Sequence, residues 1–295
     1  MSLRHFFILL FLGALWGASY LFIRIASPVL GPLLLMDIRA WLACAVLIVY
    51  ALFRGMKPDF KGRWREFVFI SFINAALPFA LIAYAQLTLG ASIASILNAT
   101  VPLFTASIAA LWLKQPLSPR QIVGIVLGFA GVIVLVGGAS LTLDTAFILA
   151  ALASLAAAFC YGIGNNYVAH NLKDVAPLSL SIGQLLGAGL FLLIPALLSP
   201  PREPVTDDVI FAVLGLVVLS TSLAYLMYFY LLSSVGATRT SMVAFLIPVF
   251  GTLWGVMFLG ETITAGMLVG MVMILISVGL VVMGKAKKRK SSGFE

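Results

Sequence analysis

Residues Tyr84 to Gly138 recur without a gap 146 positions later, as Tyr230 to Gly284. Tyr84 falls on Tyr230, Gly90-Ala91 on Gly236-Ala237, Pro102 on Pro248, Gly124 on Gly270 and Gly138 on Gly284. Of the 55 aligned positions 13 are identical. The count matters less than the residue types, because glycine and proline set backbone geometry. A shift of 145 carries the match back to the N-terminus, with Trp16-Gly17 on Tyr161-Gly162 and Pro32 on Pro177. The chain therefore reads as two homologous halves, 1–143 and 144–284, followed by a basic tail, 285–295.

The medium in which such halves fold follows from charge content. Hydrophobic residues make up 62% of the chain and charged residues 9%. A soluble domain carries roughly 25% charged residues. Ten apolar segments approach the ~20 residues that cross a bilayer. They are 6–26, 33–53, 66–87, 92–112, 120–138, 147–168, 179–199, 208–231, 238–258 and 264–284. The expected fold is an all-α integral membrane protein of ten transmembrane helices, five per half. An odd number per half requires the second half to cross upside down relative to the first. Inverted repeats of this kind are a transporter architecture, with the substrate near the midplane between them.

The net charge of +8 does not point to nucleic acid, because the basic residues lie in short loops and the tail. Fifteen of the 18 Lys and Arg residues fall on the side of the termini; Arg24, Arg39 and Arg202 fall on the other. By the positive-inside rule the N- and C-termini are cytoplasmic. The chain is expected to cross a bilayer many times. Cys44 and Cys160 lie in apolar runs at non-equivalent positions and read as small core residues. Gly13/Gly17, Gly124/Gly128, Gly183/Gly187, Gly251/Gly255 and Gly266/Gly270 have GxxxG spacing, which brings helix backbones together. Packing within one bundle accounts for them, so a monomer is expected rather than a dimer.

Reactive chemistry has no signature here. There is no HExxH, no Cys/His cluster and no GxSxG, so no metal, cofactor or enzyme activity is expected. The ten acidic residues fall in loops or near helix ends, which argues against a midplane proton relay. The absence of Lys or Arg deep in the spans argues against phosphorylated substrates. Mid-span positions hold aromatic and amide side chains instead. Trp16 and Tyr20 share a face, and their counterparts are Tyr161 and Asn165, with Asn166 adjacent. Asn74, Tyr84, Asn98 and Tyr228 complete the candidate substrate-binding set. Interhelical hydrogen bonding explains such amides equally well, and an interfacial aromatic belt explains Tyr84, Tyr230 and Trp112 near helix ends. Pro78, Pro102 and Pro248 lie inside spans and are candidate hinges. Helices 4 and 9, which carry the equivalent Pro102 and Pro248, are expected to bend alike. Arg24 and Arg39 read as snorkelling residues at helix ends, with an Asp37–Arg24 ion pair as the alternative.

At these residues the chain resembles a known family. Trp16-Gly17-x-x-Tyr20-x-x-x-Arg24 resembles the first-helix WGxxFxxxK signature of the EamA domain of the drug/metabolite transporter superfamily. The series Gly236-Ala237, Pro248, Glu261 and Gly270 resembles the later part of that domain; Gln115 departs from it where Glu is usual. The resemblance covers nearly the whole chain as two EamA repeats. It implies ten spans with cytoplasmic ends in a bacterial inner membrane, crossed many times, and efflux of aromatic and other hydrophobic amino acids by alternating access. The alternative is a broad-specificity multidrug or other metabolite exporter. The expected partners are a small-molecule amino acid and the lipid bilayer, with no nucleic acid.

The charge count gives the first prediction. A reporter fused to the C-terminus should report cytoplasm, and one in the 200–207 loop the exterior; the reverse pattern would overturn the inversion.

Overall fold

Hydrocarbon offers no hydrogen bonds, so a spanning segment must satisfy its own backbone, and a helix does so within one segment. The computed structural model describes residues 2–60, 62–139 and 144–283. The basic tail, and the junction at residue 143, lie outside them. The helices are α1 (Leu3–Leu30), α2 (Pro32–Phe53), α3 (Trp64–Ala85), α4 (Ala91–Trp112) and α5 (Pro119–Gly138). They continue as α6 (Thr145–Asn171), α7 (Pro177–Leu197), α8 (Asp207–Val235), α9 (Val243–Leu259) and α10 (Ala265–Met283). Among the described residues nine have the length and apolarity to cross a membrane; α9 is shorter, with 17 residues, and follows a single turn at Ala237–Thr240.

The packing is symmetric under exchange of the halves. The α5–α10 and α2–α7 pairs each join equivalent helices. The α1–α9 pair matches α6–α4, α1–α8 matches α6–α3, and α2–α8 matches α7–α3. Helices run alternately. Arg4 at the start of α1 lies over Tyr230 at the end of α8, 5.5 Å from the ring centroid. Gly138 at the end of α5 meets Gly266 at the start of α10. The bundle thus has a terminal end, where α1 starts and α10 finishes, and a far end.

The α1–α2 connection is a single residue. Gly31 adopts φ 79, donates its N–H to Ser27 O, and hands over to Pro32 at the first turn of α2. Only glycine takes that φ without strain, and proline loses nothing where the helix N–H has no partner. Glycine also sets the helix crossings. A Cβ on Gly17 would lie 2.8 Å from Gly251 N, and one on Gly138 2.5 Å from Gly266 Cα. All five GxxxG faces meet other helices of this chain. Large apolar side chains remain exposed around the outside, among them Phe11, Leu111, Ile133, Leu197 and Phe211, as a lipid-facing surface requires. Cys44 and Cys160 are free and buried.

Two features depart from uniform helices. In α3 the turn Phe72–Ala76 is a π-helix, and in α8 the π segment Gly215–Leu223 covers the equivalent residues. Such wide turns are rare and concentrate at functional sites. In α3 the wide turn precedes Pro78, whose ring would otherwise meet the carbonyl of Asn74. In α8 hydroxyls take up carbonyls: Thr221 Oγ1 donates to Leu216 O and Ser222 Oγ to Val217 O. The expectation that α4 and α9 bend alike is not met. The helix of α4 is interrupted at Ala99–Thr100, just before Pro102, whereas Pro248 sits inside the unbroken α9. Pro102 has no N–H to give the carbonyl four residues back.

The crossing at Gly17 sets the second prediction. Gly17→Ala should cost about 1–3 kcal/mol through overpacking. Gly137→Ala, where a Cβ meets nothing within 4 Å, should not lower stability, since alanine is the better helix former by about 0.5–1 kcal/mol. Thermal unfolding of the purified protein in detergent separates the two; equal melting temperatures would contradict the crossing.

Candidate functional site

Trp16 and Tyr20 of α1, Asn98 of α4, Tyr161 of α6, and Thr221 and Tyr225 of α8 lie in the middle third of their helices. The structure brings most of them together. Trp16 packs on Tyr228, ring centroids 5.4 Å apart. Asn98, Arg39 and the phenol of Tyr161 lie within electrostatic reach of the Tyr20 hydroxyl. Tyr225 lies within electrostatic reach of Arg39 and Tyr228. Asn98 is half-buried, and its Oδ1 has no hydrogen-bond partner among the described residues. The residues come from both halves, so the cluster sits at their junction.

The three other sequence candidates have different surroundings. Asn74 lies in the α3 wide turn and donates from Nδ2 to Gln184 Oε1 at 2.8 Å, a junction between α3 and α7. Tyr84 is 56% exposed near the far end of α3 and stands outside the cluster. Asn165 follows Tyr161 by one turn on the same face, toward the terminal end, and is exposed. The adjacent Asn166 is the buried amide; it donates to Thr105 O and Gly162 O and ties α6 to α4.

Arg39 corrects the sequence reading, and with it the premise that no Lys or Arg lies deep in the spans. It is not a helix-end residue reaching for water. Its Nε donates to Thr221 Oγ1 at 3.0 Å, and its guanidinium carbon lies 4.1 Å from the Phe79 ring centroid. The length of the side chain carries the charge from the far-end half of α2 into the cluster. Composition and spacing gave no sign of this. The hint available was its repeat counterpart Gln184, since a polar residue at both equivalent positions fits an interior face better than an interface. Asp37 is also more deeply placed than expected, at 7% exposure, with Oδ1 unpartnered. The Asp37–Arg24 ion pair is absent among the described residues. Arg24 Nη1 donates instead to Gln86 O and Leu87 O, carbonyls at the C-terminal end of α3, where a cation suits the helix dipole.

The far end is closed. Glu261, in the α9–α10 loop, accepts from Ala91 N at 2.6 Å and Ser92 N at 2.9 Å, which caps the start of α4. Gly251 and Gly255 admit Ser95 and Ser92 of α4 beside that cap. Toward the terminal end the two helices part. The later half of α4 turns to α6, with Phe104 against Gly162. The early part of α9 turns to α1, with Leu246 against Gly13. Gln115, the repeat equivalent of Glu261, has no second carboxylate oxygen with which to form the same double cap.

A ten-helix bundle of two inverted halves with a polar aromatic cluster at their junction defines a membrane transporter fold. The chain belongs to the EamA-like transporter family, whose model matches residues 5–137 and 148–283. It is 26% identical to the uncharacterized transporter YvbV of Bacillus subtilis, over 98% of this chain and 95% of that protein. It is 27% identical to the uncharacterized inner membrane transporter YedA of Escherichia coli, over 92% of this chain and 88% of that one. Protein PecM of Dickeya dadantii is 28% identical over 88% and 86% of the two chains. A solved crystal structure shares the fold, with a TM-score of 0.66 over 95% of this chain and 96% of the other at 17% identity. None of these names a substrate.

The cap on α4 yields the third prediction. Glu261→Ala leaves two helix N–H groups without their acceptor, at about 1–3 kcal/mol for each that finds no other partner. The melting temperature should fall, and a cysteine at Ser95 should react faster with a membrane-impermeant thiol reagent added from the exterior. Unchanged labelling would show that Glu261 does not hold this end shut.

Proposed function

We propose that this protein exports aromatic and other hydrophobic amino acids across a bacterial inner membrane. The termini are cytoplasmic on this reading, because the terminal end carries the basic loops. The observation that carries the proposal is the unpartnered Oδ1 of Asn98 beside Tyr20, inside a wall of Trp16, Tyr161, Tyr225 and Tyr228. An acceptor left open in a low-dielectric interior costs free energy unless a ligand fills it. An ammonium group is a donor of the right charge for it. The surrounding rings supply apolar area and offset stacking for an aromatic side chain.

In the conformation described here α4 and α9 meet at the far end and part toward the terminal end. Transport requires the converse state, in which α4 and α9 part at the far end and close at the other. The wide turns of α3 and α8, and the break before Pro102, are where backbone bonding is already irregular. Pro78, Pro102 and Pro248 act as hinges on this reading, with Pro102 the most direct because its helix is already interrupted. Transport runs down the substrate gradient, since Asp37, the one acidic side chain buried among the described residues, stands beside Trp41 rather than in the cluster.

The fourth prediction follows. In proteoliposomes, Trp16→Ala should weaken phenylalanine transport by roughly 2- to 13-fold, the worth of one stacking partner beyond area burial. Asn98→Ala should weaken it by roughly 5- to 150-fold, the worth of an amide hydrogen bond. Tyr84→Ala should transport normally. Normal transport by both Trp16→Ala and Asn98→Ala, with intact expression, would place the substrate elsewhere.

A further inference from the structure

We propose that Arg39 is the receptor for a carboxylate on the transported molecule, so that the site takes aromatic carboxylates and discriminates against the corresponding amines and amides. This rests on the reading above only in placing the substrate in the cluster.

Arginine stays protonated in proteins, and it carries five N–H donors in a planar fork. In this interior its partners are few. Nε donates to Thr221 Oγ1, and Nη1 makes a long contact of 3.8 Å to Met36 Sδ. Three N–H donors have no partner among the described residues. No carboxylate among the described residues lies within ion-pair distance; the groups that act on the charge are the phenols of Tyr161, Tyr225 and Tyr20. Asp37 is close in sequence but not in space. Residues two apart on a helix point to nearly opposite sides. Asp37 stands beside Trp41, whose indole packs on Gly189 of α7, while Arg39 reaches α8 and α3. A buried charge without a counter-charge is costly, and the cost falls when an anion arrives.

The guanidinium is also held in place. Phe79 covers one face at 4.1 Å from the ring centroid. Thr221 fixes the Nε edge, and its own hydroxyl proton is committed to Leu216 O within the α8 wide turn. The group is therefore oriented before the ligand binds. A planar fork fixed in this way matches a carboxylate with two parallel N–H···O bonds, which a lysine does not reproduce. The equivalent position in the other half, Gln184, is neutral and already bonded to Asn74. The cluster is thus polarised, with its cation on one side only. Asn98 Oδ1 offers an acceptor near the same Tyr20 hydroxyl, so one molecule carrying both an ammonium and a carboxylate finds a partner for each.

The test is equilibrium binding to the purified full chain in detergent, with four probes that share one ring: L-phenylalanine, L-phenylalaninamide, phenethylamine and 3-phenylpropionate. Wild type should bind phenylalanine roughly 10- to 150-fold tighter than the amide, the range for a hydrogen bond to a charged group. Arg39→Gln should abolish that preference, and Arg39→Lys should restore part of it. Equal affinity of wild type for phenylalanine and its amide would overturn the proposal, as would an Arg39→Gln protein that keeps the preference. Should Arg39→Gln fail to fold, the wild-type probe series alone decides. Binding of 3-phenylpropionate without binding of any amino acid would sustain the role of Arg39 and overturn the amino acid reading. Binding of phenethylamine alone would overturn the role of Arg39.

Discussion

Inside a bilayer every polar group must find its partner within the protein, and the structure is arranged around that requirement. It makes the spanning segments helical. It explains why the hydroxyls of Thr221 and Ser222 turn back onto carbonyls of a wide helical turn. It explains why Gln86 Nε2 reaches Tyr20 O and why Ser27 Oγ reaches Ala83 O across the α1–α3 contact. Where the requirement is not met, the exceptions are informative. Buried polar atoms of Asp37, Trp41, Asn74, Gln86, Ser92 and Ser154 also lack a partner among the described residues, but the open acceptor of Asn98 and the uncompensated charge of Arg39 both lie near the Tyr20 hydroxyl at the junction of the halves.

Two ends of the bundle are built differently although the halves are related. At the far end Glu261 supplies two carboxylate oxygens to the start of α4. At the terminal end the equivalent residue is Gln115, whose amide has a single acceptor oxygen. Arg63 and Asp174 form an ion pair there at 2.9 Å, with both side chains partly exposed. Exposed pairs of this kind contribute roughly 0–1 kcal/mol. Glycine crossings occur at both ends, so the difference between the ends lies in the Glu261 cap on α4, which Gln115 cannot reproduce. An asymmetry of this sort lets one conformation dominate in the absence of ligand while the other remains accessible.

Much of this was legible in the sequence. The repeat, the ten apolar segments and the GxxxG faces follow from residue type and spacing, because glycine and hydrophobicity act locally. Trp16, Tyr20, Asn98, Tyr161 and Tyr228 were legible as inward residues from mid-span position alone. Arg39 was not. Its Cα lies two turns from the end of α2, and only the direction of its side chain decides between interface and interior. The choice between Asn165 and Asn166 was equally hidden, since adjacent residues differ by 100° around a helix and the pattern does not fix its phase to that precision. The wide turns of α3 and α8 left no trace in hydrophobic periodicity. The equal treatment of Pro102 and Pro248 failed because a proline disturbs a helix only as far as its neighbours let it.

The central claim is that substrate sits at the junction of the halves, among residues of α1, α4, α6 and α8. Photo-crosslinking with a diazirine analogue of phenylalanine, followed by peptide mapping of the purified protein, tests it most directly. The account predicts adducts on the peptides carrying Trp16, Asn98, Tyr161 and Tyr228, all suppressed by excess phenylalanine. Competable adducts confined to the lipid-facing stripes, such as those of Phe11 or Leu111, would contradict it.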